Sequence, residues 1–266
     1  SNNTYHAEYQ VQQKVNLFGE TVLTGGILLR DVVSTAELYS GNADGDGENT
    51  ARNTAAYLQV DKKLLKERLS VSAGVRYEQF MVQEDEASQP VFRAGATYRV
   101  LRATYVRASY GQGFRFPTIG ERFINTSLGL LRIFPNSEIR PEQSWNTEVG
   151  VKQGFRIGGF TGYIDAVAFQ QDFQDYVEFT FGQWEAFSWS DPAANFYGFG
   201  FKSVNTGGAR VTGLESEIAG KGKIGGVEIQ ALLGDTTTKP ISTTPDEVYA
   251  DPVPGPPLPF PPGNTT

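Results

Sequence analysis

The alternation of apolar and polar residues constrains this chain more than any other feature. In the stretch RLSVSAGVRYEQF, which begins at Arg68, every second residue from Leu69 to Tyr77 is apolar or aromatic, and Ser, Gly and Arg stand between them. The same period of two residues returns in the segments 92–100 and 104–110. Successive side chains of a β-strand point to opposite faces, so this period indicates strands. The sequence therefore predicts a sheet with one apolar face and one polar face.

About ten such strands are predicted along the whole chain. They lie near residues 5–15, 20–35, 53–64, 68–82, 89–100, 103–113, 143–156, 160–181, 205–220 and 226–238. A soluble β-sandwich also alternates, but its strands usually have about five or six residues. Most of these strands run to about eleven residues or more, the length that crosses a bilayer at a tilt. In the segment 160–181 the alternation weakens around Asp165 and Val167, which predicts a β-bulge there.

The connections between these strands alternate in length. Short turns are predicted at 16–19, 65–67, 101–102, 157–159 and 221–225, and longer connections at 36–52, 83–88, 114–142, 182–204 and 239–266. An up-and-down barrel in an outer membrane has tight turns at its periplasmic end and longer loops outside the cell. We therefore predict an all-β, antiparallel, transmembrane β-barrel, with extracellular loops near 36–52, 114–142, 182–204 and 239–266.

Composition excludes several other classes of protein. The net charge of −7, with basic residues scattered singly, argues against nucleic acid as a partner. The chain has one histidine, His6, and no cysteine, which nearly excludes Ser-His-Asp and Cys-His nucleophile systems, so no enzyme is expected. No apolar run approaches the roughly 18 residues of a membrane-spanning helix.

Four phrases carry a resemblance to a known family. They are GFRFPTIGERF from Gly113, FPNSEIRPEQSWNTEVGVKQGF from Phe134, DFQDYVEF from Asp172 and NTGGARVTGLESEIAG from Asn205. Together they resemble the C-terminal part of the barrel of TonB-dependent outer-membrane transporters, particularly a Bacteroidota-like branch, over residues 103–234. The resemblance implies a barrel of about 22 strands around an N-terminal plug. It also implies active import of a bulky, scarce nutrient, such as a siderophore or other chelated metal, an oligosaccharide or a peptide.

The chain departs from the family pattern in ways that predict a partial transporter. It shows no plug and no TonB box, and it ends at Thr266 rather than at an aromatic residue, so it is expected to be a fragment or the ordered part of a longer molecule. The proline-rich tail is interpreted as an extracellular loop, with a flexible tail as the alternative. The implied partners are TonB with its inner-membrane complex and the lipid and lipopolysaccharide of a Gram-negative outer membrane, and a surface lipoprotein is left open as a further partner. A binding or adhesion barrel and an ungated porin-like channel stay open as alternatives.

Strand parity gives candidate residues inside the barrel and at its rim. The residues predicted to face the lumen are Ser72, Arg76, Arg107, Glu148, Lys152, Glu215 and Glu217. The same parity places Arg115 on the lumen side. The strand is expected to end just after Arg115, because Pro117 has no backbone N–H to donate to the ladder. Arg115 has two interpretations: it binds a ligand, or it forms an ion pair with Glu142 or Glu148.

The long loops supply the remaining candidates. The aromatic segment 182–201 predicts ligand contacts by Trp184, Phe187, Trp189 and Tyr197, with packing of the rings within the loop as the alternative. Asp44, Asp46 and Glu48 resemble the start of a calcium loop, but the twelfth position from Asp44 is Ala55 rather than Glu, so an acidic surface loop is favoured. No cofactor is expected. Heme receptors of the family carry a histidine in the loop that corresponds to 118–134, and this loop has none.

Overall fold

A computed structural model describes residues 1–39, 47–129, 131–185 and 198–246. The strands are β1 (Asn2–Asn16), β2 (Glu20–Thr35), β3 (Glu48–Leu64), β4 (Leu69–Val82), β5 (Asp85–Leu101), β6 (Thr104–Arg115), β7 (Thr126–Leu128), β8 (Leu131–Phe134), β9 (Glu142–Ile157), β10 (Phe160–Gln174), β11 (Val177–Gln183), β12 (Phe199–Asn205), β13 (Ala209–Ile224) and β14 (Val227–Ser242). One short helix, α1 (Ile119–Phe123), follows β6. In the described part of the chain, no helix is long and apolar enough to cross a membrane.

Ten strands form one antiparallel sheet, which we call the wall. Its order is β1-β2-β3-β4-β5-β6-β9-β10-β13-β14, so each strand lies beside the next strand of the wall along the chain. The wall confirms the predicted all-β, up-and-down architecture and the number of long strands. It is not closed, because β1 and β14 each have one neighbour. This agrees with a partial barrel.

The two faces of the wall invert the arrangement of a water-soluble protein. On the apolar face, Val149 and Leu214 are 53% and 65% exposed. On the polar face, the side chains of Glu78 and Asp165 are only 13% and 16% exposed and form ion pairs. Water would favour the opposite arrangement, with apolar side chains inside. An apolar face turned to lipid and a polar face turned to the interior are typical of a membrane barrel.

One connection at the loop end is shorter than predicted. The expected loop at 83–88 is wrong, because β4 runs to Val82 and β5 already begins at Asp85. Gln83 makes this tight turn with a φ of +54°. Its side-chain amide donates to the carbonyl of Glu48 at 3.2 Å and to Oδ1 of Asn49 at 2.9 Å. These bonds hold the extended β4–β5 hairpin against β3.

The predicted bulge near Asp165 is also wrong. Strand β10 pairs with β9 and β13 without a shift of register, and Asp165 lies opposite Lys152 and Glu217. The alternation weakens there because β10 places apolar side chains, among them Phe169, on the polar face. The Phe169 ring packs directly over Gly213 of β13 and occupies the space that a side chain there would need. The irregularity of the wall lies instead between Arg99 and Leu101.

The predicted strand at 160–181 is two strands in different sheets. Strand β10 ends at Gln174, Asp175 takes a φ of +53°, and β11 leaves the wall. Strand β11 joins a second, four-stranded sheet of order β11-β12-β8-β7, in which β12 pairs in parallel with β8. We call α1, β7, β8, β11, β12 and their connections the loop cluster. Its strands have three to seven residues, too short for alternation to reveal.

The loop cluster packs on the polar face at the loop end of the wall. The core there consists of Val82, Phe116 and Ile119, each less than 9% exposed. Val32, Ala51, Phe80 and Ala87 pack against it, and the register places all four on the polar face. Burial of apolar surface therefore holds the segment after β6 against the interior side of the wall.

Candidate functional site

Arg115 lies where the chain leaves the wall. Strand β6 pairs with β5 only up to Gly111 but stays paired with β9 up to Arg115, opposite Glu142. The Arg115 Nε donates to the Glu142 carboxylate, and its Nη1 donates to Oε2 of Glu121 at 2.8 Å. Of the two predicted partners, Glu142 is present and Glu148 is not. The structure therefore places Arg115 in an ion-paired cluster, while its ligand role stays a prediction.

Glu121 closes the first turn of α1. The backbone N–H and the hydroxyl of Thr118 both donate to Oε2 of Glu121, at 2.7 and 2.9 Å, and the Glu121 N–H donates back to the Thr118 hydroxyl. This is a capping box, which satisfies backbone donors at the start of a helix. Burial alone would raise the pKa of the Glu121 carboxyl, but the Arg115 guanidinium and the Thr118 donors together hold it below its ordinary value.

Glu142 and two asparagines join the separate segments of the loop cluster. The second oxygen of Glu142 accepts the backbone N–H of Val177 at 2.6 Å, so the same carboxylate holds Arg115 and the start of β11. The Asn205 amide donates to the carbonyls of Arg140 and Asp175 at 3.0 and 2.7 Å. Asn136 donates to the carbonyl of Ser203 at 2.8 Å. The FPNSEIRPE and VNTGG phrases therefore supply the side chains that bond these separate segments to one another.

The small sheet presents an aromatic face. The rings of Phe179 and Phe201 stack at 5.1 Å, and those of Phe181 and Phe199 stack at 6.0 Å. Phe179 and Phe181 are 56% and 50% exposed. Phe179 and Phe181 were not among the predicted loop aromatics, because the sequence places them in a segment that we assigned to a membrane-spanning strand.

Of the four aromatic residues proposed for ligand contact, the structure describes Trp184. Its Nε1 donates to the Gly200 carbonyl at 3.0 Å, and Lys202 lies 5.6 Å from the ring centroid. The geometry agrees with packing of this ring on β12, the alternative interpretation. Phe187, Trp189 and Tyr197 lie outside the described residues and stay predictions.

Arg122 is a buried cation that sequence analysis missed. It is 2% exposed, pairs with Asp85, and donates from Nη2 to the Ser137 carbonyl at 2.5 Å. Its guanidinium also lies 5.6 and 5.5 Å from the ring centroids of Phe116 and Phe123. Arg122 therefore attaches α1 to the β4–β5 turn. A single Arg in the phrase GERF gives no signal of burial, so sequence analysis could not have found this contact.

The residues predicted to face the lumen share the polar face of the wall, as the register requires. Arg107 pairs with Asp165 at 2.7 Å, and Lys152 lies 3.6 Å from the same carboxylate. The Tyr163 hydroxyl donates to Glu217 at 2.5 Å, and Lys152 lies over the Tyr163 ring. Asp165 and Tyr163 were not predicted, because the facing of this strand was left open.

Elsewhere on the same face the predicted residues have other partners. Arg76 pairs with Glu78, and Glu148 accepts from the Asn146 amide at 2.7 Å. Ser72 lies opposite Gly95, and Glu215 lies opposite Val167. The polar face thus combines paired charges, such as Arg76 and Glu78, with carboxylates such as Glu148 that have neutral hydrogen-bond partners.

The calcium prediction stays untested. Asp44 and Asp46 lie outside the described residues, and Glu48 begins β3 opposite Thr35. Within the described ranges, no group of three or more His, Cys, Asp or Glu side chains could hold a metal ion.

A wall of long antiparallel strands, with apolar residues on one face and ion pairs on the other, defines the class of outer-membrane β-barrel proteins. The family model "TonB dependent receptor-like, beta-barrel" matches residues 1–264. The chain belongs to this family, whose members are outer-membrane receptors of Gram-negative bacteria rather than enzymes. The resemblance found in the sequence is confirmed, and the Bacteroidota-like detail stays a prediction.

Known proteins agree with this assignment. Heme/hemopexin utilization protein C of Haemophilus influenzae is 27% identical over 172 residues, which cover 56% of this chain and 23% of the relative. The hemophore receptor HasR of Serratia marcescens superposes with a TM-score of 0.68 at 15% identity, over 82% of this chain and 39% of that chain. The siderophore receptor PirA of Pseudomonas aeruginosa superposes with a TM-score of 0.68 at 14% identity, over 89% of this chain and 43% of that chain. The chain spans less than half the length of each.

Proposed function

We propose that this chain is part of the barrel of a TonB-dependent importer in the outer membrane of a Gram-negative bacterium. Its cargo is a bulky, scarce nutrient, and we favour an iron chelate such as heme or a siderophore over an oligosaccharide or a peptide. The similar proteins support this choice, since they are a heme utilization protein, a hemophore receptor and a siderophore receptor. Energy comes from TonB and its inner-membrane complex, acting through a plug.

The observation that carries the proposal is the inward fold of the loop cluster. Phe116 and Ile119 are buried against the polar face, and Arg122 fixes α1 to the β4–β5 turn. A segment held over the interior side of the wall would narrow the entrance of the complete barrel and would lie where cargo passes. A specific receptor benefits from a rigid entrance with few alternative conformations, since less entropy is lost when a ligand binds. The geometry therefore favours selective import over open diffusion.

The polar face supports the same proposal over a barrel that only displays loops for adhesion. Cations and carboxylates on it form ion pairs between strands of the wall: Asp165 on β10 pairs with Lys152 on the adjacent β9 and with Arg107 on β6, the strand beyond β9. Such a face suits contact with water, cargo or a further domain inside the barrel. Lipid and lipopolysaccharide then surround the apolar face, and a surface lipoprotein stays a proposed partner of the loops.

The test uses the complete protein in its own bacterium. A strain that lacks the gene should lose growth on hemin or on a ferric siderophore as sole iron source, and the complete gene should restore it only when TonB is present. Liposomes that contain the purified protein should not swell in small sugars, since the entrance is narrowed. Growth without TonB, or rapid sugar entry, would instead support a channel. Normal iron acquisition by the deletion strain would contradict an iron-chelate cargo.

A further inference from the structure

A cleft separates the segment 114–120 from the loop ends of β2, β3 and β4. We call it the rim cleft. Its volume is about 430 Å³, within the range of about 300–1,000 Å³ that is usual for sites that bind small molecules. It opens on the polar face, because β2, β3 and β4 contribute residues of that face to its lining. The rim cleft is thus a concave site at the proposed entrance.

One side of the rim cleft is aromatic. Phe80 and Phe116 stack with ring centroids 6.0 Å apart and an interplanar angle of 11°, and Phe114 lies 5.8 Å from Phe80 at 58°. All three line the cleft. Phe116 is buried in the core, so the ring group is anchored rather than free to rearrange. Such a wall favours contact with a flat, apolar or aromatic body through offset stacking.

The other side carries a cation, Arg30, that no described side chain neutralises. Arg30 is exposed in the rim cleft, and its guanidinium has neither a hydrogen bond nor an ion pair with any described residue. Neighbouring arginines differ: Arg52 pairs with Asp31, and Arg115 pairs with Glu121 and Glu142. The remaining polar groups in the lining include Asn53, opposite Arg30 in the register, and the hydroxyls of Ser34 and Tyr39, 3.2 Å apart. An unpaired guanidinium beside neutral donors suits an anionic group.

We infer that the rim cleft binds an anionic group carried on a flat aromatic body, with Arg30 contacting the anion and the phenylalanines contacting the rings. This inference rests on the proposed function, because it places a first contact for the cargo at the entrance. The carboxylates of heme and the ionised oxygens of an aromatic siderophore share this chemistry. A neutral sugar would leave the Arg30 guanidinium without an anionic partner.

The test compares Arg30 with a matched control in the complete, detergent-purified protein. The Arg93 side chain also lies on the polar face, has no hydrogen bond or ion pair with a described residue, and lies outside the rim cleft. Equilibrium titrations of hemin and of a ferric tris-catecholate complex should show R30Q weakening the affinity for at least one probe by about tenfold to a hundredfold. R30K should keep most of the affinity and R93Q all of it. The probe that responds identifies the source of the anion.

Several outcomes would overturn the inference. They are unchanged affinity of R30Q for both probes, an equal loss in R93Q, or no saturable binding of either probe to the wild-type protein. Circular dichroism and heat-modifiable mobility of R30Q must match wild type, and R30K gives a second reading if R30Q assembles poorly. A different result would contradict the proposed function without contradicting the inference about the rim cleft. If the deletion strain grows normally on both iron sources while binding still depends on Arg30, the cleft stands and the import proposal falls.

Discussion

The wall and the loop cluster are stabilised by different means. In the wall, ten strands pair through regular backbone ladders, and the side chains mainly decide which face meets which solvent. In the loop cluster, side chains bond to the backbone of distant segments, as Asn205 does to Arg140 and Asp175, and Arg122 does to Ser137. A ladder tolerates many side chains, whereas such individual bonds depend on single residues. In the wall, the effect of a substitution on stability should therefore depend on which face the residue occupies. In the loop cluster, it should depend on the individual bonds that the residue makes.

The largest effect is expected from a charge on the apolar face of the wall. Val71→Arg should destabilise the folded barrel by about 2–4 kcal/mol if the residue lies near the bilayer midplane, because the charge must enter lipid. Ser72→Arg is the matched control, since the next residue lies on the polar face. Urea unfolding of the complete protein in liposomes measures both. Equal losses from the two substitutions would show that the faces are not distinguished by lipid.

A smaller effect is expected where the wall has no room for a side chain. A Cβ at Gly213 would lie 2.4 Å from the Phe169 ring and 2.6 Å from the Thr237 carbonyl, and the backbone oxygen cannot move aside. Gly213→Ala should therefore cost about 1–3 kcal/mol, as overpacking usually does. At Gly111 a Cβ would meet nothing within 4 Å, so Gly111→Ala is the control. The same unfolding assay should show a clear difference between the two, and similar midpoints would contradict this close packing.

The wall was predictable because alternation is a repeated local signal. The number of long strands followed from this signal, and so did the face on which most of their residues lie. The signal was lost in β10, because Val167 and Phe169 place apolar side chains on the polar face. The loop cluster was not predictable in the same way. Its strands are short, and its contacts join residues such as Asn136 and Ser203 that lie 67 positions apart. Arg115 continues the parity of β6 to the last residue of the strand, so the sequence carries a signal for its position, whereas Arg122 follows no repeating pattern.

A third substitution should separate the loop cluster from the wall. Arg122→Gln removes the ion pair with Asp85 and the cation–aromatic contacts with Phe116 and Phe123. Asp85 is 62% exposed, so its carboxylate is left in water rather than buried, and the loss should be local, of about 1–3 kcal/mol. Limited proteolysis should then cut within 116–141 much faster, while the barrel keeps its heat-modifiable mobility. The control is Arg140→Gln, whose side chain is 64% exposed and pairs with Asp175. Loss of the assembled barrel in R122Q would show that the two regions are coupled.

The smallest effect is a pH dependence confined to the loop cluster. The pKa of Glu121 is lowered in the folded protein from its ordinary value of 4.5, so its contribution to stability is complete above that value and is lost as pH falls through the folded pKa. Hydrogen exchange within 116–123 should therefore rise, after correction for the intrinsic rate, as pH falls below about 4.5, while exchange in β9 and β10 keeps its protection. Glu121→Gln cannot ionise and should show already at neutral pH part of the loosening that wild type shows in acid, with a flatter pH profile. Unchanged protection of this segment in acid would mean that the ionised Glu121 carboxylate does not help to hold the start of α1 on the wall.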